Sequence, residues 1–255
     1  MNALIGHTGF VGSNLMEQYR FDAFFNSKNI QDIRRRRFET VVCAGVQAKK
    51  WWANQHPEED WAGIEKLLNA LADMETSTFI LISTVDVYAR PVRVTESTPI
   101  TPENHAYGKN RYAVEQFITA HFGDHLILRL PGLFGRGLKK NVIYDLLNNN
   151  CLDQINPASE YQYYCLDHLW QDIQRSLRHG IRLLNVATEP VKTQDIIDRY
   201  FPNQKDRVGQ PKSFTATYDM RSEHAHLWRP DAGDYLYDAE TVLGEIGQFV
   251  SQPQN

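Results

Sequence analysis

Apolar residues in this chain gather into short dense runs, and the runs alternate with stretches of helical period. Ala3–Leu4–Ile5 is the first run; it meets Gly6, Gly9 and Gly12, and a helical pattern begins near Ser13. Runs at Ala23–Phe25, Thr40–Ala44, Phe79–Ser83 and His125–Leu130 repeat the form. Phe79–Ser83 is nearly continuous in apolar character, which predicts a strand covered on both faces of a parallel sheet. Between the runs, helical spacing predicts helices from about Glu58 to Met74 and from the Tyr107 region to about His121. The second of these would bury Ala113, Val114, Phe117 and Ile118. Beyond Leu130 the pattern gives a helix at about Asn141–Asn149, a strand at Gln162–Leu166 and a helix at Leu169–Arg178. A strand at Ile181–Val186 and a helix at Thr193–Tyr200 follow. Strands alternating with helices over short connections predict an α/β protein with a doubly wound parallel sheet of Rossmann type. The last ~50 residues are richer in Pro, Gly and Gln and predict an irregular part of a smaller C-terminal α/β lobe.

A strand, a glycine turn and a helix in succession are the setting in which glycines bind a dinucleotide. Gly6 lets the chain turn off the strand, Gly9 lets the backbone approach a pyrophosphate, and Gly12 lets helix and strand pack closely. Amides at the start of the helix, over Thr8, Phe10 and Val11 as well as the glycines, then face the phosphates, whose charge the helix dipole favours. The spacing is GxxGxxG, and an ordinary tight turn is the competing reading. Residues 1–130 are therefore expected to form the dinucleotide-binding domain. Residues 131–255 would be mostly a substrate lobe, with segments near 162–186 returning to the sheet.

The end of the second strand selects between cofactors: an acidic side chain holds the ribose 2′-hydroxyl of NAD, and a basic or small one admits the 2′-phosphate of NADP. Asp22 precedes the strand, and Ser27 and Lys28 follow it. This favours NADP slightly over NAD, with a plain polar turn as the alternative. Ala44 and Gly45 are small enough for the backbone to pass close to the cofactor. Arg34–Arg37 reads as solvated surface, although one of these arginines could reach a phosphate. Trp51, Trp52 and Trp61 are expected to pack against the sheet.

GHTGFVG near the N-terminus resembles the extended branch of the short-chain dehydrogenase/reductase superfamily, the NAD(P)-dependent epimerases, dehydratases and reductases of nucleotide sugars. STVDVY, residues 83–88, and YGKNR, residues 107–111, are similar to later motifs of the same family. The resemblance implies hydride transfer at a nicotinamide, with Tyr107 as acid/base and Thr84 as the hydroxyl that shares the substrate oxygen. It places Pro131 against the cofactor and Asp86 and Asn141 against the substrate. Free tyrosine ionises near ~10, so a cation must help it near neutrality. The family uses a lysine four residues on; this chain has Arg111, bulkier, planar and forked. Lys109 falls on nearly the opposite face, and Glu115, four residues beyond Arg111, offers a plain ion pair as another explanation for the arginine. The family's later arginine is replaced by Tyr161, which leaves room for a smaller or carrier-linked substrate. Two functions therefore stay open: an oxidoreductase or epimerase acting on a sugar nucleotide, and a non-catalytic NAD(P)-binding sensor or assembly protein. The resemblance also implies a homodimer.

The totals narrow the partners. With 255 residues, 42% hydrophobic and 23% charged, the composition is that of an ordinary globular protein. A net charge of −4 argues against nucleic acid. No apolar run approaches the ~20 residues needed to span a bilayer. The glycine turn lies too near Met1 for a signal peptide ahead of it. Cys43, Cys151 and Cys165 are odd in number and widely spaced, as reduced cytoplasmic thiols would be. Nine histidines form no HExxH, and no metal is expected.

Overall fold

β1 (Asn2–Ile5), α1 (Phe10–Gln18), β2 (Ala23–Phe25) and β3 (Arg37–Cys43) open the chain in a computed structural model that describes residues 1–210, 215–231 and 233–252. Then come α2 (Lys50–Gln55), α3 (Pro57–Leu71), β4 (Glu75–Thr84), α4 (Ala106–His121), β5 (His125–Leu130), α5 (Leu169–Arg178) and β6 (Leu183–Asn185). The six strands form one parallel sheet in the order β6-β5-β4-β3-β1-β2. This is the doubly wound α/β class expected from the alternating pattern, in the 2-1-3-4-5 order extended by one strand. The direction of winding reverses between β1 and β3, and in such sheets ligands bind outside the carboxyl ends of the strands at that reversal.

The chain forms two compact units. The first comprises Met1–Arg90, Thr98–Arg129 and Asp167–Leu184; the second comprises Pro91–Ser97, Leu130–Leu166 and Asn185–Asn255.

Burial explains the strands of the first unit. Phe79, Ile80 and Leu81 on β4 are buried, and so are all six residues of β5, including His125 and Arg129. β3 and β4 begin earlier than their apolar runs, because the backbone ladder continues outward through the pairs Arg37↔Glu75 and Phe38↔Thr76. Arg37, Glu39, Glu75 and Ser77 are exposed there, where the backbone ladder suffices, and Phe38 is buried in the core. Buried Cys43 closes β3, and burial pushes its thiol up to about 11, so it acts as packing. α3 starts with Pro57 and carries Glu58, Glu59 and Asp60 in its first turn, where proline fits and negative charge meets the helix dipole.

The second unit has its own core, built around Phe134, Ile143, Tyr163, Val191, Ile196 and Ile246. Its strands are short pairs: Gly132–Phe134 with Tyr163–Cys165, Glu160–Tyr161 with Val191–Lys192, and Val92–Val94 with Asp219–Met220. The strand expected at Gln162–Leu166 is thus Tyr163–Cys165, and it pairs here instead of in the main sheet. Gln162 ties the segments together: its Nε2 donates to the carbonyls of Thr188 and Met220 at 2.5 and 2.7 Å, and its Oε1 accepts from the Met220 amide at 2.7 Å. A helix at Ala239–Ser251 lies inside the stretch expected to be irregular.

A buried ion pair joins α4 to β5. Glu115 and Arg129 are each 4% exposed and approach to 2.6 Å. Ser83 donates to Glu115 at 2.5 Å, and Arg129 donates to the Tyr88 hydroxyl at 2.7 Å. Removing one partner leaves an uncompensated buried charge, whereas replacing both by apolar residues can be nearly neutral. Glu115→Ala is therefore expected to destabilise the fold by about 3–5 kcal/mol. The double change Glu115→Leu with Arg129→Met should recover most of that loss, measured by urea unfolding at neutral pH.

Candidate active site

The glycine turn sits at the β1–β3 reversal. Gly6 has φ +86°, and a Cβ there would lie 2.4 Å from the Ala44 carbonyl oxygen, so the two strand ends touch backbone to backbone. The Gly6 amide donates to the Phe25 carbonyl at 2.8 Å, and the Gly9 amide donates to the Gly6 carbonyl at 2.9 Å. α1 starts at Phe10, earlier than the pattern near Ser13 predicts, with Gly9 as its N-cap. Its first turn carries neither a side-chain cap nor a carboxylate. An uncapped nine-residue helix opening on a glycine turn at the winding reversal fits an anionic group such as a dinucleotide pyrophosphate. Thr8 and Gly9 are exposed, and Phe10 and Val11 are half-buried. Gly45 is exposed beside the end of β1, where a Cβ would meet Ile5 at 2.8 Å.

Thr84 ends β4, and Tyr107 lies in the first turn of α4. The structure brings them together: the Thr84 hydroxyl lies close enough to the Tyr107 phenol to influence it, and Thr84 Oγ1 accepts from the Asp86 amide at 3.2 Å. Gly108 makes this approach possible, since a Cβ there would stand 2.2 Å from the Asp86 carbonyl oxygen. Asn104 Nδ2 donates to the carbonyls of Asp86 and Val87 at 2.9 and 3.0 Å. His105 caps α4, its Nδ1 accepting from the Gly108 amide at 3.0 Å. Asn54 of α2 accepts from the Tyr107 amide at 2.9 Å.

Arg111 lies one turn along α4 from Tyr107, and its guanidinium carbon is 3.9 Å from the centre of the Tyr107 ring. Both terminal nitrogens are committed. One donates to Asp60 Oδ2; the other donates to Asp60 Oδ1 at 2.9 Å and to the Gln47 carbonyl. The i,i+4 pairing with Glu115 does not form, because Glu115 is taken by Arg129. Burial is the largest influence on the Tyr107 phenol and pushes it above the ordinary tyrosine range. The Arg111 charge pulls it back, Asp86 raises it, and the Thr84 hydroxyl and Lys50 lower it. His105 is held below the usual histidine range by burial first and the Lys50 charge second, with Asp86 opposing. A buried phenol beside a hydroxyl and over a fixed guanidinium can exchange a proton with an alcohol or carbonyl oxygen.

The other anticipated residues take different places. Ser27 and Lys28 are exposed in an Asx turn after β2, with the Lys28 amide donating to Asn26 Oδ1 at 2.9 Å. Asp22 binds the Asn2 amide at 2.6 Å, before β2 begins. Arg35 and Arg37 form exposed pairs with Asp73 and Glu75 at the amino ends of β3 and β4, away from the glycine turn. Trp51 is 66% exposed and Trp61 36% exposed, so the expected packing on the sheet does not describe them; Trp52 stacks on His56. Pro131 is buried directly after β5. Asn141 caps the helix Val142–Asn148 in the second unit, accepting from Tyr144 at 3.0 Å and donating to Leu133 at 2.9 Å. Sequence reasoning did not single out Lys50, Asn54, Asp60 or Asn104. Only Asn104 and His105 carried a signal, as polar residues just ahead of a helix start.

A family model described as the NAD dependent epimerase/dehydratase family matches residues 23–154. No curated protein matches in a sequence search. Among solved structures, UDP-glucose 4-epimerase from Thermotoga maritima, determined with UDP-glucose, is similar with TM-score 0.73 at 16% identity, covering 98% of each chain. dTDP-4-dehydrorhamnose reductase from Bacillus anthracis, determined with NADP, gives 0.73 at 16% identity over 99% of this chain and 98% of that one. The Bordetella bronchiseptica enzyme WbmG, determined with NAD, gives 0.69 at 15% identity over 97% and 92%. At such identities the likeness concerns the fold.

Gly108 and Gly63 offer a paired test of this corner. Gly108→Ala drives a methyl into backbone and is expected to cost about 1–3 kcal/mol. Gly63→Ala meets nothing within 4 Å on the outer face of α3. It should be neutral or stabilising by up to about 1 kcal/mol, both compared with wild type by thermal unfolding.

Proposed function

The chain belongs to the NAD dependent epimerase/dehydratase family, and from that premise we propose that it is an NAD(P)-dependent oxidoreductase or epimerase acting on a nucleotide sugar. The observation that carries this reading is the Thr84–Tyr107 hydroxyl pair held over the Arg111 guanidinium. A nicotinamide, when bound, supplies the hydride acceptor or donor. Tyr107 gives or takes the proton of the neighbouring substrate oxygen, and Thr84 holds that oxygen by a second hydrogen bond. Arg111 favours the phenolate by its charge from a fixed position. The amides of the Gly6–Gly12 turn hold the pyrophosphate, Ala44 and Gly45 pass beneath the dinucleotide, and Ser27 and Lys28 receive a 2′-phosphate. Pro131 completes the cofactor's surroundings, and Asp86 and Asn141 serve the substrate. For Asn141 this role competes with its helix cap, which already engages both ends of its amide.

A second reading, a protein that binds NAD(P) without turnover, is favoured by one feature. Both terminal nitrogens of Arg111 are held by Asp60 and Gln47, so the arginine is not placed to bond a cofactor hydroxyl with them. Tyr107→Phe separates the two readings. The enzyme reading expects turnover of UDP- or dTDP-linked sugars to fall about 10²–10⁴-fold, with NADH and NADPH affinity unchanged in a fluorescence titration. Wild-type protein that binds either dinucleotide but turns over no sugar nucleotide, alone or in a panel, would favour the second reading.

A further inference from the structure

α2 carries Lys50 and Asn54 four residues apart, hence on one face of the helix. Asn54 receives the Tyr107 amide, and Lys50 Nζ lies 2.6 Å from Asp86 Oδ1. Asp86 is itself fixed at the reacting corner: its amide donates to Thr84, and its carbonyl accepts from Asn104. One face of α2 thus touches both segments that bring Thr84 and Tyr107 together, and an ammonium–carboxylate pair stands beside them. The electrostatic influence of both charges at Tyr107 and His105 agrees with this placement.

The pair differs from two other ion pairs of α4's surroundings. The side chains of Arg111 and Asp60 are 4% and 3% exposed, and those of Arg129 and Glu115 are 4% each. Lys50 and Asp86 are 39% and 17% exposed. A surface ion pair contributes little to stability, and this one stands at the segment that carries Thr84, with both charges acting on Tyr107. An ammonium offers rotatable donors and a carboxylate offers acceptors only. Side by side, they complement two adjacent hydroxyls, each of which donates and accepts.

We propose that Lys50 and Asp86 together bind the vicinal diol of a sugar ring held at Tyr107, Asp86 accepting from the hydroxyls and Lys50 donating to them. This rests on the reading of the corner as a dinucleotide-dependent sugar site. The diol has two sources, the cofactor ribose and the substrate sugar, and the test separates them.

The experiment measures binding to the full-length wild type and to Lys50→Met, Asp86→Asn, Lys50→Arg and Lys49→Met. Probes are NADH, NADPH, and, with the dinucleotide saturating, UDP, UDP-glucose, UDP-N-acetylglucosamine and dTDP-glucose, with folding checked by thermal melting. Lys50→Met and Asp86→Asn are each expected to weaken at least one ligand about tenfold, as loss of a hydrogen bond to a charged group does. Lys49→Met, the same charge change one residue away on an exposed side chain, should stay within about twofold of wild type. Lys50→Arg should recover part of the loss. Weaker NADH and NADPH assigns the diol to the cofactor ribose; weaker sugar nucleotides with unchanged UDP assigns it to the substrate. Ligands that bind the wild type and bind both Lys50→Met and Asp86→Asn equally well overturn the dyad while leaving the functional reading intact. A wild type that binds neither dinucleotide overturns that reading, and the dyad with it.

Discussion

The buried pair of Arg111 and Asp60 is the constraint around which the corner is arranged. A guanidinium removed from water must have its charge compensated, or the fold loses several kcal/mol. Asp60 answers with both oxygens and the Gln47 carbonyl takes one terminal nitrogen, while the buried Nε has no hydrogen-bond partner. Asp60 stands in the first turn of α3 and Arg111 in the second turn of α4, so the pair pins those helices in one register. Asn110 adds a donor to the same carboxylate at 2.8 Å. Tyr107, one turn from Arg111, is then left with its ring against the guanidinium. The charge that eases phenol ionisation is therefore part of the packing, unable to move without unmaking the α3–α4 contact.

Two backbone crossings set the rest of the geometry. At the first, Gly6 lies against Ala44 where β1 and β3 end. Only a residue without a Cβ tolerates that distance and the positive φ together. At the second, Gly108 lies against the Asp86 carbonyl and lets α4 begin directly on the segment that leaves β4. Asn104 fastens this crossing with two hydrogen bonds, and Asn54 fastens it from α2. Thr84 and Tyr107 stand close together because these crossings are tight, with strand and helix contributing one hydroxyl each.

Local burial made much of this legible. His125–Leu130 is apolar enough to be recognised as a strand, and the helices at Leu169–Arg178 and Thr193–Tyr200 carry their own periodicity. The helix at Ala239–Ser251 was hidden by Gly244 and Gly247, which lower helix propensity. Gly247 has a tertiary reason: a Cβ there would meet the Tyr200 ring at 2.7 Å. The hydroxyls of the corner were visible through their motif, but the partner of Arg111 was not. Glu115 is nearer in sequence than Asp60, and it lies on the helix face that meets Arg129 of β5 instead. Which carboxylate meets which cation is decided by how helices seat on the sheet, and local spacing carries no record of that.

Among the described residues three ion pairs stand around α4, and their burial divides their work. Glu115 with Arg129 is dry and bonded on every side that the fold offers, with Ser83 and Tyr88 completing it. Arg111 with Asp60 is equally dry but turns one surface toward the Tyr107 ring, so it reaches the site as field and not as hydrogen bonds. Lys50 with Asp86 is the wettest of the three, and its ammonium sits on a flexible stem that can reorient when a ligand arrives. A single lysine one turn beyond a tyrosine can unite charge and donor in one group. In this chain charge at the phenol comes from a residue too constrained to donate, and a donor stands nearby on a residue whose charge is largely balanced by its own partner. A rigid cation and a movable one can then be tuned independently, the first by packing between α3 and α4, the second by the carboxylate it must leave or share to bind a hydroxyl.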